Sequence, residues 1–144
     1  MSWSEPLLKL ARLGPCRKLA LVEAAIGLGV AMVQVRWNGK RLSRLLQLPL
    51  AEREETETPA ERPLELVTWA INAAGARLPF HTTCLMRALA ARVMLARRGV
   101  RGCIRIGISE DSKEFRAHAW VVVGERPVVG WFRNETYNVL AQIN

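Results

Sequence analysis

Cysteine, histidine and aromatic residues are scarce in this sequence of 144 residues. The three cysteines are an odd number, and positions 16, 84 and 103 contain no CxxC pair. This spacing suits neither a disulfide framework nor a metal site built from thiols alone. We therefore predict a reducing, cytoplasmic environment and expect neither a bound metal ion nor a cofactor. Because there are only two histidines, any chemistry that needs an imidazole has two candidates.

An export signal is also lacking. The N-terminal stretch MSWSEPLLKL has an acid and a proline where a secretory signal has positive charge followed by an apolar core. The apolar run Leu19–Val35 is shorter than the roughly 20 residues that a spanning helix needs, and it contains Glu23 and two glycines. We interpret it as a buried or partner-facing helix, which leaves room for a location peripheral to the membrane.

Acidic residues are few, and the formal net charge is +8. The excess is divided between residues 1–50, with eight Lys/Arg and two acids, and residues 64–144, with eleven and six. No aromatic interleaving and no RNA-binding motif accompanies this charge, so a nucleic-acid interface has only the charge in its favour and we do not predict one.

Composition divides the chain into three segments around one core. Residues 1–48 form an apolar and basic helical segment, whose last part, RWNGKRLSRLLQL, has leucines and arginines at amphipathic helical spacing. This segment could rest on a membrane surface or on another protein. Residues 49–63 are acidic, proline-bounded and poor in large apolar side chains, which is typical of a connector. Residues 64–144 hold the predicted core.

Within this core, two helices are predicted before any strand. The first, LELVTWAINAAGARLP, is expected to bury Leu66, Trp69, Ala70 and Ala73. The second follows Thr82 and Thr83, which are good N-cap residues. Its expected buried face is apolar throughout and comprises Leu85, Met86, Leu89, Ala90, Val93 and Met94.

Cys84 lies in the first turn of this second helix. Unpaired backbone N–H groups and the positive end of the helix dipole favour a thiolate there. The position is therefore suitable for a nucleophile.

Beyond Gly99 the hydrophobic period changes from helical spacing to two. Ile104, Ile106 and Ile108 alternate with other residues, and RAHAWVVV then places His118, Trp120 and Val122 on one face of a second strand. Gly124 and Glu125 predict a hairpin turn into PVVGWF, and TYNVL adds a last strand or edge segment. Helices followed by antiparallel strands predict the α+β class.

His118 is a possible partner for Cys84, because a helix that begins with the thiol can pack across a sheet that presents the imidazole. A packing role for either residue alone remains open. A zinc site of His81, Cys84, Cys103 and His118 is a weaker alternative, since the set has no tight second ligand pair. Cys103 is most simply a small core residue, and Cys16 belongs to no pattern.

Three stretches, LPFHTTCLMRALAARVMLARRGV, IRIGI and FRAHAWVVVGERPVVG, resemble the transglutaminase-like leader peptidases of lasso-peptide biosynthesis. The likeness extends over the whole chain, including the N-terminal helices, and its CLxxALA and HAW motifs are specific in combination. It implies a papain- or transglutaminase-like fold in which the nucleophile helix packs on a small antiparallel sheet.

The resemblance also implies a function and partners. The chain would be a cysteine protease that removes the leader from a ribosomally made lasso precursor peptide. A separate winged-helix protein would recognise the leader, because this chain has no segment of that kind. A lasso cyclase would then close the macrolactam ring.

By residue, the resemblance makes Cys84 the nucleophile and His118 the general base. It places an orienting aspartate at the position of Gly130, which has no side chain to offer. Asn134, with Glu135 beside it, is the nearest downstream substitute, and we name Asn134 as third member. A simple hairpin register sets His118 opposite Trp131, so an indole edge or a backbone carbonyl are further alternatives.

Two features of the site remain open. The backbone N–H of Cys84 is the predicted oxyanion donor, and the second donor has no candidate. Arginines 87, 92 and 116 could steer an acidic leader, although solvated helix and strand faces are the simpler account of them. Because the orienting acid is missing, a weak or inactive homologue that binds peptide as a scaffold is the alternative function.

Overall fold

The computed structural model describes residues 13–37, 61–109, 116–131 and 136–143. Within these residues, two helices pack against a four-stranded antiparallel sheet and a third helix packs on both of them, so the predicted α+β class is confirmed. The helices and strands are α1 Pro15–Trp37, α2 Glu61–Gly75, α3 Cys84–Arg97, β1 Cys103–Ser109, β2 Ala117–Val123, β3 Arg126–Val129 and β4 Tyr137–Ile143.

The strands lie in the order β3-β2-β1-β4, and every neighbouring pair is antiparallel. The predicted turn at Gly124 and Glu125 joins β2 to β3, and Gly124 has a φ of 60°, which glycine adopts without strain. β4 does not continue the series beyond β3 but returns to pair with β1. The two central strands are therefore those that the sequence places directly after α3.

Alternation along β2 decides which of its residues face the helices. Ala119, Val121 and Val123 join the core cluster that the helices form, so His118 and Trp120 point from the opposite face of the strand. On β1, Ile104 is fully buried in the same cluster. The sheet thus has one face in the core and one face that carries the polar and aromatic side chains.

α1 packs on both other helices through small side chains. Ala20, Ala24, Leu28 and Ala31 are buried, and a Cβ at Gly27 would lie only 3.3 Å from the Cβ of Ala90 on α3. α1 is long and apolar enough to cross a membrane by length and composition, but this face belongs to the protein core. Glycine and alanine at these positions allow the close approach of the helix backbones.

Two predicted helix faces need correction. α2 buries Leu64, Val67, Ala70, Ile71 and Ala74, whereas Leu66, Trp69 and Ala73, which are predicted to lie inside, are only partly buried. On α3, Val93 is 58% exposed, and Ala91 and Leu95 are buried instead. Both helices carry apolar residues on more than one side, and the elements packed around each helix decide which of these sides is buried.

The start of α2 also differs from the sequence-based boundary. Glu61, Arg62 and Pro63, which the sequence assigns to the connector, form the first turn of the helix. Proline fits this position, because backbone N–H groups in the first turn have no acceptor within the helix, so the N–H that proline lacks is not needed there. The rest of the predicted connector and the predicted amphipathic segment beyond Trp37 lie outside the described residues.

Candidate active site

Cys84 is the first residue of α3, and the residue before it caps the helix. Thr83 has an extended backbone, and its Oγ1 accepts a hydrogen bond from the N–H of Met86 at 3.3 Å. The predicted N-cap is therefore confirmed. Since Cys84 is the first helical residue, its own N–H has no carbonyl within the helix to which it could donate. The thiol is half-buried.

The structure brings Cys84 into hydrogen-bond contact with His118, although the two residues are far apart in the sequence. This hydrogen bond lowers the pKa of the Cys84 thiol more than any other single influence. Burial acts in the opposite direction, and the backbone N–H groups of Ala119 and Leu85, together with the charge of His118, add to the lowering. The net result is a thiol pKa below its ordinary value, which favours the thiolate.

His118 lies near the start of β2, directly opposite Gly107 of β1. Its Nε2 contacts the backbone carbonyl oxygen of Gly130. A carbonyl oxygen can only accept, so Nε2 carries the proton in this hydrogen bond. The second ring nitrogen, Nδ1, is then left for the thiol of Cys84, where it can take up or return a proton.

The carbonyl of Gly130 reaches His118 through an unusual backbone conformation. Gly130 has a φ of 85°, in the left-handed region that side chains avoid. A Cβ here would lie 3.0 Å from the carbonyl oxygen of Ala119 and 3.4 Å from the Cα of Trp120. Glycine at this position thus removes the expected carboxylate but allows the main chain to supply an acceptor instead.

A register shift explains why the simple hairpin pairing does not hold. β2 and β3 pair as Val123 with Arg126 and Val122 with Pro127, but Val121 pairs with Val129. The extra residue on β3 moves the following chain by one position relative to the register that set His118 opposite Trp131. A backbone carbonyl of no named residue is one of the alternatives left open by the sequence, and the structure places the carbonyl of Gly130 at Nε2.

An aromatic cluster of Trp120, Trp131 and Tyr137 lies beside His118, and Trp120 and Tyr137 contact the imidazole ring directly. The rings of His118 and Tyr137 stack with centroids 5.3 Å apart and an interplanar angle of 22°. Trp120 stacks on His118 at 6.2 Å and lies 5.4 Å from Trp131. Trp120 is buried, whereas Trp131 is 39% exposed. These contacts restrict the imidazole ring on the side away from the core.

Gly107 makes room for this cluster. A Cβ at Gly107 would lie 2.5 Å from the backbone oxygen of Asn138 and 2.9 Å from the Cη2 atom of Trp120. Trp120 could have been found from its position two residues after His118 on the same strand face. The simple hairpin register already names Trp131, whereas Tyr137 could not be found, because β4 brings it to the site from later in the chain by pairing with β1.

The other residues named from the sequence either lie outside the described residues or lie away from His118. Asn134 and Glu135 lie outside the described residues. Cys103 pairs with Val122 at the far end of β1 from Gly107, so the zinc alternative is not assembled. In the part of the chain that the structure describes, no three histidine, cysteine or acidic side chains are grouped as metal ligands.

The three arginines discussed above have different environments. Nε of Arg87 donates to Oγ1 of Thr82 at 3.0 Å, close to the start of α3. Arg116 is exposed just before β2. Arg92 is only 6% exposed, and burial lowers its pKa while the nearby Cys103 raises it. The expectation of a solvated face is therefore wrong for Arg92, because α3 is surrounded on several sides.

A thiol at a helix N-terminus, paired with an imidazole that is itself held by an acceptor, is an arrangement capable of thiol-dependent acyl transfer. The chain belongs to the transglutaminase-like superfamily, whose sequence model matches residues 29–142, or 114 of the 144 residues. This superfamily commonly includes cysteine peptidases, so the domain supports an activity of that kind. No curated protein and no solved structure matches the chain.

Proposed function

We propose that this protein is a cysteine peptidase that removes the leader from a ribosomally made lasso precursor peptide. The observation that carries the proposal is the hydrogen bond between Cys84 and His118 at the start of α3, with the thiol pKa lowered. The resemblance of the CLxxALA and HAW motifs to lasso leader peptidases supports the choice of substrate. A separate winged-helix protein presents the leader, and a lasso cyclase acts on the released core peptide.

In the proposed reaction, the Cys84 thiolate attacks the carbonyl carbon at the end of the leader. The carbon–nitrogen bond breaks, and the proton that His118 has taken from the thiol passes from Nδ1 to the departing amine. Water then attacks the thioester, with His118 as base, which releases the leader carboxylate and restores the thiol. The backbone N–H of Cys84 is the proposed donor to the developing oxyanion.

The orientation of His118 is the distinctive part of this mechanism. We assign it to the main-chain carbonyl of Gly130 in place of a carboxylate, with Asn134 remaining the side-chain candidate. A neutral acceptor stabilises an imidazolium less than a carboxylate does, because hydrogen bonds to charged groups are roughly twice as strong. We therefore expect a lower rate of peptide cleavage than a full triad would give, although Cys84 and His118 can still carry out the same reaction steps.

A cytoplasmic location goes with this proposal. Cys16, Cys84 and Cys103 are all free thiols, which a reducing compartment maintains. No metal ion and no cofactor take part in the proposed reaction.

The test combines the purified chain with a lasso precursor and a leader-recognition protein, and follows the products by mass spectrometry. We expect the wild-type chain to release an intact leader and an intact core peptide. Cys84→Ala should abolish the release, since the reaction then has no nucleophile. Cys103→Ala is the matched control, because this thiol lies on the same domain and away from His118. Equal cleavage by the wild type and Cys84→Ala would remove the proposal.

A second candidate function, a noncatalytic peptide-binding scaffold, is favoured by one observation, the glycine at the position of the expected acid. The same experiment separates it from a peptidase. A scaffold would bind the precursor equally well as wild type and as Cys84→Ala, measured by fluorescence anisotropy of a labelled leader peptide, and would release no product in either form.

A further inference from the structure

α1 has its large apolar side chains on the outside. Between Lys18 and Val35, each side chain of α1 that is mainly exposed is aliphatic. Together with Trp37 at the end of the helix, these side chains form the α1 ridge, which comprises Leu19 (71% exposed), Val22 (56%), Ile26 (62%), Val30 (50%), Val33 (46%) and Trp37 (83%). A helix on the surface of a soluble protein ordinarily has polar residues at such positions.

The buried side of α1 shows the reverse composition. It contacts α2 and α3 through Ala20, Ala24, Gly27 and Ala31, together with Leu28. Small residues at helix contacts and large aliphatic residues facing outward are the arrangement of helices whose outer surface meets lipid. In water, the same arrangement exposes an apolar surface that favours burial.

The α1 ridge is continuous along the helix. Its residues follow one another at spacings of three or four, so their side chains lie along one line on the helix surface.

Positive charge borders the α1 ridge at both ends. Lys18 lies at its start and Arg36 near its end, and both are exposed, whereas the guanidinium of Arg17 lies over the ring of Trp69 on α2, 5.4 Å from its centroid. Glu23 is the acid of α1, and it is paired with Arg97 at 3.3 Å and Arg98 at 2.7 Å. The surface around the ridge is therefore basic.

This charge pattern disfavours a second copy of the chain as the occupant. Antiparallel packing of two α1 helices through the ridge would bring Arg36 of each copy beside Lys18 of the other, and parallel packing would bring identical cations together. Like charges at close range repel. An anionic surface, in contrast, is attracted to both ends of the ridge at once.

We propose that the α1 ridge docks on the surface of an anionic lipid bilayer, with α1 lying in the plane of the interface. Aliphatic residues with a flanking tryptophan and flanking Lys/Arg suit this depth, where the side chains reach the acyl boundary and the cations remain among the headgroups. A bilayer accepts a convex ridge without a shaped groove. Spanning is incompatible with the structure, because the other face of α1 is packed on α2 and α3.

The test measures sedimentation of the purified full chain with vesicles of phosphatidylcholine alone or with about 30% phosphatidylglycerol added. We expect strong preference for the anionic vesicles, and release as the ionic strength rises and screening shortens the range of the charges. Ile26→Ser/Val30→Ser should weaken binding roughly 10- to 100-fold, since two half-exposed aliphatic side chains no longer enter the interface. Lys18→Gln/Arg36→Gln should weaken it about tenfold or more.

The matched control is Val139→Ser/Leu140→Ser, which removes two exposed aliphatic side chains from the edge strand β4 and should leave vesicle binding unchanged. Circular dichroism checks that each variant is folded. The Lys18/Arg36 variant tests the attraction to anionic lipid separately, because its substitutions do not alter the buried face of α1. No binding to anionic vesicles at low salt, equal binding to both vesicle types, or full binding by the Ile26/Val30 variant would each overturn the proposal. The proposal would also be overturned if the wild-type chain did not bind vesicles but formed a dimer, or a complex with a protein partner, that the Ile26/Val30 variant did not form.

Discussion

Replacing Gly130 by alanine is the sharpest perturbation of the candidate site, because it tests the main-chain acceptor of His118 without changing any catalytic side chain. The new Cβ meets two difficulties. The backbone φ of 85° is unfavourable for an L-residue, and the Cβ would lie 3.0 Å from the carbonyl oxygen of Ala119, which is part of the central strand β2. Since the obstacle is backbone within the sheet, the Gly130 segment must move instead.

The expected loss of stability in Gly130→Ala is the sum of the backbone strain and the close contact. The left-handed conformation costs roughly 1–2 kcal/mol for a residue with a Cβ, and the close contact adds about 1–3 kcal/mol, the range of an overpacked site. At roughly 2–4 °C per kcal/mol for a chain of about this size, the melting temperature should fall by about 4–20 °C. Movement of the carbonyl away from Nε2 should also release the imidazole and raise the pKa of the Cys84 thiol toward the value that burial alone would give.

Gly124→Ala is the matched control for the cost of placing an alanine in the left-handed backbone conformation. Gly124 also has a positive φ, 60°, but nothing lies within 4 Å of its Cβ position, and it occupies the hairpin turn at the other end of β2. This variant should lose only the roughly 1–2 kcal/mol of the left-handed conformation. Its Cys84 thiol should behave as in the wild type.

The assay has two readouts. Thermal unfolding followed by circular dichroism compares the stabilities, and the pH dependence of alkylation by iodoacetamide, measured on the Cys84 peptide by mass spectrometry, reports thiolate formation. The exposed thiol of Cys16 serves as internal control for the reagent. If Gly130→Ala and Gly124→Ala unfold alike and the Cys84 profile does not move, the carbonyl of Gly130 does not position His118.

Two further predictions concern the thiol and its helix. His118→Ala should shift the alkylation profile of Cys84 to higher pH, because it removes the largest cause of the lowered thiol pKa, while burial still raises that pKa. An unchanged profile would contradict the contact between Cys84 and His118. Thr83→Ala should destabilise the protein by about 1 kcal/mol, measured by thermal or urea unfolding, because the N–H of Met86 loses its acceptor. Thr83→Ser retains the hydroxyl and should be close to wild type, so equal losses in both variants would argue against capping.

The exchange of a carboxylate for a carbonyl has a chemical consequence for the site. A carboxylate next to the imidazole would stabilise the imidazolium by charge, whereas the Gly130 carbonyl offers a hydrogen bond alone. The Cys84–His118 pair therefore depends more on the first turn of α3 and on the N–H groups of Ala119 and Leu85. The aromatic cluster adds a steric restraint on the ring in place of an electrostatic one.

The local parts of this design could be predicted from the sequence. Thr83 and Cys84 mark the start of a helix because capping depends on residues within one turn. The period of two places His118 and Trp120 on one strand face, and Gly124 marks the turn because these are properties of neighbouring residues. The α+β order and the choice of Cys84 and His118 as the pair to examine follow from such local features together with the resemblance.

Tertiary structure decided which groups meet across the fold. The register shift beside Val121 brings the carbonyl of Gly130 to His118, and the return of β4 to β1 brings Tyr137 into the aromatic cluster. Neither is encoded in a local pattern, because each depends on pairing between segments that are distant in the chain. The same holds for the α1 ridge: α1 is apolar on all sides in sequence, and only packing determines that its alanines face the core and its larger aliphatic residues face outward.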